Sequence, residues 1–262
     1  MRKWLGEGNH DVKQISLALI DEFICEKAAT YSTLSLRNVN CTLRSFLRYL
    51  YSQGRIDSEL GEKLYPPSSF SHDKRPKYVP WQKIQELLAN FQRTTLKDTR
   101  DFAMLMLMAS YGLRAREIAA LRIEDVDFAN KKLFLRERKG GKAACFPLRT
   151  EACAALKDYL KVRPQSGCPE IFLKLRPPFK PLGKSVSLVV SICLKDRWGA
   201  HLPFCGTYLL RHSFAKAMID RGAPLTKISE VLGHETLNST LIYTRVATED
   251  LRQVADNYSK LL

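Results

Sequence analysis

Apolar residues recur every three or four positions along most of the chain, which is the pattern of helices with one buried face. The first such stretch covers 11–30, and the second covers 33–53, with polar residues on the opposite side of each. Beyond residue 80 the same spacing predicts further helices over 81–91, 97–112, 113–121, 149–162, 184–197, 207–221, 226–232, 236–245 and 248–261.

Three shorter stretches between residues 123 and 148 follow a different pattern and are predicted to be extended. They read IEDVDF, KKLFLRER and KAACFPL, and a KGGK turn joins the second to the third. Two extended runs separated by a glycine-containing turn are typical of an antiparallel hairpin. The sequence therefore predicts a mainly α fold with a small antiparallel β-sheet, in the α+β class.

A proline- and serine-rich stretch interrupts the helical pattern between the second and third helices. Residues 65–80, YPPSSFSHDKRPKYVP, contain four prolines and three serines. Such clusters are typical of linkers. We therefore predict a helical domain over 1–65, a linker over 66–80 and a larger domain over 81–262.

The chain is strongly basic, with a formal net charge of +15 and a pI near 9.6. Counting residues gives 11 Lys/Arg against 9 Asp/Glu in 1–76, and therefore 31 against 18 in 77–262, so that the second part carries +13. This excess favours a polyanionic partner, nucleic acid before an acidic membrane face. In the first part, Arg37, Arg44 and Arg48 on the second helix are candidate phosphate contacts, although charged helix faces are often only solvated.

Seven cysteines, with no CxxC pair among them, favour reduced thiols over a disulfide framework or a zinc site. His201 and Cys205 are four residues apart but have no second ligand pair nearby, so we interpret them as structural. The sequence shows neither a signal peptide nor an apolar run of transmembrane length. We expect a cytoplasmic protein that needs no metal or other cofactor.

Four short motifs combine charged or nucleophilic residues with apolar neighbours. In YGLRAREIAAL, Arg114 and Glu117 share one helix face, which alone predicts only a local ion pair. In RERKGGKAACFPL, Lys139 and Lys142 flank the diglycine at a hairpin tip that could present an ammonium to a ligand. Lys142 is therefore a candidate DNA contact, although ordinary basic hairpins have the same composition. Each of these two motifs is weak by itself.

The other two motifs lie near the end of the chain. In YLLRHSFA, Tyr208 and Arg211 are one turn apart near a helix N-terminus, where free N–H groups favour an anion. In LGHETLNSTLIYTRV, His234 precedes Tyr243 by nine residues. Taken singly, His234 is more often a structural histidine and Tyr243 a core residue.

Together, in this order and spacing, the four motifs resemble the catalytic set of the tyrosine recombinases, the phage-integrase and Xer-type family. The resemblance covers about 77–262 and implies a DNA strand transesterification without metal or ATP. It implies that Tyr243 is the nucleophile, that Arg114 and Arg211 hold the scissile phosphate, and that Lys139 is the general acid. His234 matches the family's second histidine, and Glu117 matches a supporting acidic residue.

The chain departs from the family pattern at Tyr208, where histidine is usual. A tyrosine can donate a hydrogen bond to phosphate but cannot act as a base near neutral pH. Tyr208 is also a conceivable rival nucleophile. The helices over 1–65 resemble only part of the family's DNA core-binding domain, which indicates a shortened clamp or a truncated start.

Three functions stay open at this point. The resemblance favours a site-specific recombinase acting on double-stranded DNA, as a tetramer on two sites and with an accessory protein as an option. The alternatives are a catalytically weak DNA-binding relative and a type IB topoisomerase-like activity. The stripe of apolar residues over 248–261 could pack on a neighbouring protomer or on its own domain.

Overall fold

The computed structural model describes residues 11–64, 77–136, 138, 143–199, 202, 205–234, 238–241 and 243. The chain divides into two compact units, Met1–Lys74 and Arg75–Leu262. Among the residues described, no helix has both the length and the apolar character that a bilayer crossing requires.

The first unit is built on two helices, α1 (Leu17–Ala28) and α2 (Thr33–Ser52). Each begins at a serine whose hydroxyl accepts a backbone N–H of the first turn, Ser16 from Leu19 and Ser32 from Ser35. A separate 3₁₀ turn, Val12–Gln14, precedes α1 because Ile15 adopts an extended backbone that ends it. The predicted helix over 11–30 is therefore two elements. A second 3₁₀ turn covers Leu60–Lys63.

The core of this unit consists of apolar side chains from both helices and from the segment that follows them. The fully or nearly fully buried members are Ile15, Ile20, Phe23, Leu43, Leu47, Leu50, Ile56, Leu60 and Leu64.

The second unit consists of helices and one three-stranded sheet. Its helices are α3 (Trp81–Ala89), α4 (Leu96–Tyr111), α5 (Ala115–Ala120), α6 (Thr150–Val162), α7 (Val186–Trp198), α8 (Thr207–Asp220), α9 (Leu225–Leu232) and α10 (Asn238–Leu241). Short 3₁₀ turns, Ile123–Asp125 and Gly183–Ser185, lead into the first strand and into α7.

Helix α4 is the centre of the second unit and packs against α6 and α8. Its N-terminus is fixed by a capping box, in which Thr95 and Asp98 exchange side chain-to-backbone hydrogen bonds. It ends at Gly112, whose φ of 63° is the left-handed conformation that glycine adopts without strain. An added Cβ at Gly112 would lie 2.8 Å from both Leu232 and Phe214. This close approach brings the end of α4 against α8 and α9.

The sheet has the order β1-β2-β3 and is antiparallel throughout. Its strands are β1 (Val126–Asp127), β2 (Lys132–Leu135) and β3 (Ala144–Pro147). Leu133 and Leu135 alternate inward and are buried in the main core. The prediction of a mainly helical fold with a small antiparallel sheet is thus confirmed, while the KGGK turn over 139–142 lies outside the described residues.

A separate small apolar cluster forms beside the main core. Ala215 of α8 and Ile228 and Leu232 of α9 surround the ring of Tyr243. Tyr243 follows α10 in a turn. The described part of the helix predicted over 236–245 is α10, and the helix predicted over 248–261 lies outside the described residues.

Candidate active site

Arg114 is held at the start of α5 by Glu117. The backbone N–H of Arg114 donates to Glu117 Oε2 at 2.7 Å, and Arg114 Nη1 donates to Glu117 Oε1 at 3.1 Å. A third bond runs from Arg114 Nη2 to the carbonyl of Gly233 at 3.1 Å. The predicted ion pair is therefore not a solvated surface pair, because the Glu117 carboxylate is fully buried.

Arg211 is anchored by two main-chain carbonyls. Its Nη1 donates to the oxygen of Gly112 and its Nη2 to the oxygen of Leu232, both at 2.7 Å. These carbonyls belong to the ends of α4 and α9, where no further helical N–H is available to them. A guanidinium has five N–H donors, so three remain for another acceptor. Arg211 is only 2% exposed.

A third arginine, Arg138, completes the cluster, and the sequence motifs assigned it no role. It donates to Glu117 Oε1 at 3.4 Å and to the carbonyls of Glu230 and Val231 at 3.3 and 2.7 Å. The sequence feature that could have pointed to Arg138 is its position immediately before Lys139. Arg138 connects the hairpin to the C-terminal end of α9.

The cluster has an excess of positive charge. Among the residues that the structure describes, three buried or largely buried guanidinium groups face one carboxylate, that of Glu117, so their formal charges sum to +2. Burial, together with the charge of Arg114, lowers the pKa of Arg211 to about 10. Uncompensated buried charge costs several kcal/mol, so an anion would stabilise this cluster. A cleft of about 240 Å³ gives access to it, lined in part by Arg114, Arg211 and Tyr208.

Tyr243 points into the protein beside this cluster. Its side chain is 2% exposed, and its hydroxyl lies 2.9 Å from Nδ1 of His212. Burial raises the pKa of the Tyr243 phenol, and the nearby charges of Arg211 and Arg114 offset part of that rise. The four sequence motifs give no role to His212, whereas the structure puts it in direct contact with the candidate nucleophile.

His234 lies on the other side of Tyr243. The two rings are stacked, with centroids 6.4 Å apart and an angle of 3° between their planes. His234 Nδ1 is 2.7 Å from the hydroxyl of Thr240, which is fully buried. This bond fixes the orientation of the imidazole and leaves Nε2 for another partner.

Tyr208 lies at the outer edge of the site. It is 57% exposed and lines the cleft, and its ring centroid is 5.8 Å from that of His212. The rings of Tyr208, His212 and Tyr243 therefore form a row from solvent to interior. Tyr208 is available to a ligand in the cleft, whereas Tyr243 is not exposed to solvent in this conformation.

The other predicted contacts lie away from this cluster or outside the described residues. Lys139 and Lys142 are outside them. On α2, Arg37 is exposed, Arg44 Nε donates to the carbonyl of Gly61 at 3.2 Å, and Arg48 pairs with Glu59 at 3.3 Å. Part of the hydrogen-bonding capacity of Arg44 and Arg48 is thus used within the first unit. Over the described ranges, no group of three or more His, Cys, Asp and Glu is arranged to hold a metal.

The two histidines predict how stability depends on pH. Burial, then the charge of Arg211, lowers the pKa of both His212 and His234 from 6.5 to about 4. Between these values the unfolded chain binds more protons than the folded chain, so stability is complete above pH 6.5 and falls towards pH 4. The slope is at most about 1.4 kcal/mol per pH unit for each histidine.

Urea unfolding at a series of pH values between 7 and 4 tests this expectation. His212→Asn removes one of the two groups and should therefore reduce the slope. An unchanged slope in that variant would show that His212 does not contribute.

The close packing of Gly233 against Arg138 allows a second test. Gly233 ends α9 with a φ of 62°, and an added Cβ would lie 2.5 Å from Cζ of Arg138. Gly233→Ala should therefore cost at least about 2 kcal/mol of unfolding free energy, from backbone strain and displacement of Arg138. Gly222→Ala is the matched control, because Gly222 has a φ of 76° but open space around it. Equal losses in the two variants would contradict the packing argument.

Within the described part of the chain, the arginine cluster carries more positive charge than Glu117 offsets, and the Tyr243 hydroxyl lies near it, an arrangement suited to binding an anion such as a phosphate. Residues 77–250 match the model described as the phage integrase family. The chain belongs to this family, as its motifs indicated.

Similar proteins agree with this assignment. The chain is 32% identical over 226 residues to the tyrosine recombinase XerA of Pyrococcus horikoshii, covering 86% of this chain and 75% of XerA. It is 31% identical over 253 residues to y4rA of Sinorhizobium fredii, covering 95% of this chain. It spans only 61% of the length of y4rA, and 51% of that of a second relative from the same organism, y4rF.

The fold is similar to that of XerH site-specific recombinase bound to palindromic difH substrate in a post-cleavage complex. The TM-score is 0.71 at 19% sequence identity, covering 95% of this chain and 74% of XerH. At this identity the likeness concerns the fold.

Proposed function

We propose that the protein is a site-specific DNA recombinase or integrase that cuts and rejoins DNA through a 3′-phosphotyrosyl intermediate. The observation that carries this proposal is the arrangement of Arg114 and Arg211, with net positive charge around them, next to the Tyr243 hydroxyl. The recombinase names of its relatives support the same activity.

In the proposed reaction the Tyr243 oxygen attacks the phosphorus of one strand. A bond forms between that oxygen and phosphorus, and the bond from phosphorus to the 5′-oxygen breaks. The phenol loses one proton and the 5′-oxygen gains one, so the leaving strand ends in a 5′-hydroxyl. One phosphoester bond forms for each one that breaks. A 5′-hydroxyl from a second duplex can therefore attack the phosphotyrosyl bond in the reverse reaction, which exchanges the strands.

Each proposed role follows from the chemistry of its side chain. The arginines stay charged and bind the nonbridging oxygens through planar pairs of N–H groups. Such preorganised donors are worth most where negative charge develops in a water-poor site. His234, through Nε2, is a further donor to the phosphate, and Tyr208 is a donor at the mouth of the cleft. Lys139 is proposed as the general acid for the 5′-oxygen.

Partners follow from the same proposal. The substrate is double-stranded DNA carrying a recombination site, and exchange between two sites uses a tetramer. An accessory protein is an optional component, and the place of action is the cytoplasm. Arg37, Arg44, Arg48 and Lys142 are proposed to contact DNA phosphates, which predicts binding that weakens steeply as salt concentration rises.

The test uses DNA from either side of the gene, searched for inverted repeats around a short spacer. A duplex with that sequence is nicked in the spacer, so that cleavage frees a short fragment carrying the 5′-hydroxyl, which diffuses away and cannot rejoin. This substrate should trap a denaturant-resistant protein–DNA adduct. Digestion and mass spectrometry should locate the nucleotide on Tyr243. Sequence-specific binding without an adduct would support a binding-only relative. Relaxation of supercoiled plasmid without any site would support a type IB topoisomerase-like activity.

A further inference from the structure

The contact between His212 and Tyr243 places an imidazole nitrogen against the hydroxyl of the proposed nucleophile, with Nδ1 of His212 and the Tyr243 oxygen 2.9 Å apart. Burial lowers the pKa of His212 to about 4 and raises that of the Tyr243 phenol, so both groups are neutral near pH 7. A neutral imidazole has one nitrogen that donates and one that accepts. When Nδ1 is the accepting nitrogen, the phenol hydrogen points to His212.

This direction has a consequence for nucleophilic attack. A phenol oxygen attacks through a lone pair, so its hydrogen has to point away from the phosphorus. An acceptor placed at Nδ1 of His212 holds the hydrogen on one side, while Arg211 and Arg114, which would hold the phosphate, are near enough for their charges to act on the phenol. His212 also limits rotation of the phenol, because the two rings meet edge to face with centroids 5.5 Å apart.

We propose that His212 is a positioning residue for Tyr243, which accepts the hydroxyl hydrogen at Nδ1 and fixes the phenol oxygen beside Arg211. The proposal rests on the recombinase function and adds to it a residue that none of the sequence motifs assigned. This acceptor belongs to His212, which lies one helical turn after Tyr208 on α8. Tyr208 is exposed, whereas His212 is further from solvent.

His212 does not act as the full proton acceptor in the unliganded site. Because the pKa of His212 is about 4 and that of the phenol is above its ordinary value of 10, complete transfer is disfavoured by a factor of about 10⁶ or more. Burial and the adjacent Arg211 keep the imidazole neutral. Its contribution is therefore orientation.

The test compares His212→Phe with His212→Asn in the full chain. Phenylalanine keeps a ring of similar size without an acceptor, whereas the asparagine Oδ1 replaces Nδ1 as an acceptor on a smaller side chain. We expect His212→Phe to slow adduct formation roughly 10- to 100-fold, as misplacement of a reacting group does, with DNA affinity unchanged. His212→Asn should recover most of the rate.

A purely structural role predicts the reverse order, because asparagine leaves a cavity that phenylalanine fills. Adduct formation by His212→Phe at the wild-type rate, or a slower reaction in His212→Asn than in His212→Phe, would overturn the proposal.

A second readout does not depend on activity and separates this proposal from the recombinase function. The pKa of Tyr243 can be followed by NMR of protein labelled with ¹³C at the tyrosine Cζ, with Tyr243→Phe assigning the signal. A neutral acceptor stabilises the protonated phenol, so His212→Phe should lower the pKa of Tyr243 and His212→Asn should restore it. If the wild-type protein forms no adduct but the pKa moves as expected, the recombinase function fails and the contact stands. An unmoved pKa in His212→Phe overturns the positioning role.

Discussion

Replacing Tyr243 with phenylalanine is expected to abolish the covalent protein–DNA adduct, a loss of at least about 10⁴-fold in rate. The substitution removes the oxygen atom that is proposed to become bonded to phosphorus, and it keeps the ring that packs in the small cluster with Ile228 and Leu232. It leaves Nδ1 of His212 without its partner, which costs about 1–3 kcal/mol in a buried setting. DNA affinity should stay within about threefold, since no charge is removed.

The measurement is the trapped adduct on the nicked duplex, with DNA binding measured in parallel. Tyr159→Phe is a matched control, because Tyr159 is also fully buried and its hydroxyl accepts from the backbone N–H of Leu173 at 3.4 Å. That variant should lose stability but still form the adduct. Persistence of the adduct in Tyr243→Phe would reject the nucleophile assignment. Its location on Tyr208 would identify the rival, which is exposed at the mouth of the cleft.

The order of elements was largely predictable from the sequence because it depends on local patterns. Apolar spacing predicts α2 and α4, and the glycine that ends α4 is visible in the sequence as Gly112, the second residue of the dipeptide YG. The break at Ile15 was missed because apolar spacing continues through it, while Asp11 and Gln14 close a separate turn. Spacing therefore identifies a buried face more reliably than it identifies the residue at which a helix begins.

The contacts that define the site could not be predicted from local patterns. Arg211 binds the carbonyl of Gly112, 99 residues earlier in the chain, and main-chain carbonyls leave no signature in a sequence. His212 bonds to Tyr243 across 31 residues. Arg138 donates a hydrogen bond to Glu117, and it is the folding of the chain that brings these two side chains together. The motifs point to Arg114, Arg211 and Tyr243 as candidates, whereas the anchoring of these side chains depends on how the ends of α4, α8 and α9 meet.

That anchoring predicts a large effect for Arg211→Lys, even though the charge is retained. A guanidinium can hold the carbonyls of Gly112 and Leu232 with two N–H groups and still offer three to a phosphate. A lysine ammonium has three donors that radiate from one atom, so it cannot satisfy both carbonyls and bind two phosphate oxygens side by side. We expect adduct formation to fall by about 10²–10³-fold, comparable to the loss of one preorganised donor in other active sites.

DNA affinity distinguishes this geometric explanation from a simple loss of charge. Because Arg211→Lys keeps the charge, binding should weaken less than about tenfold and keep its salt dependence. Arg221→Lys, at the exposed end of α8, is the matched control and should change neither quantity. If Arg211→Lys forms the adduct at nearly the wild-type rate, charge alone suffices at this position. The two carbonyl bonds would then stabilise the ends of α4 and α9 without orienting a phosphate ligand.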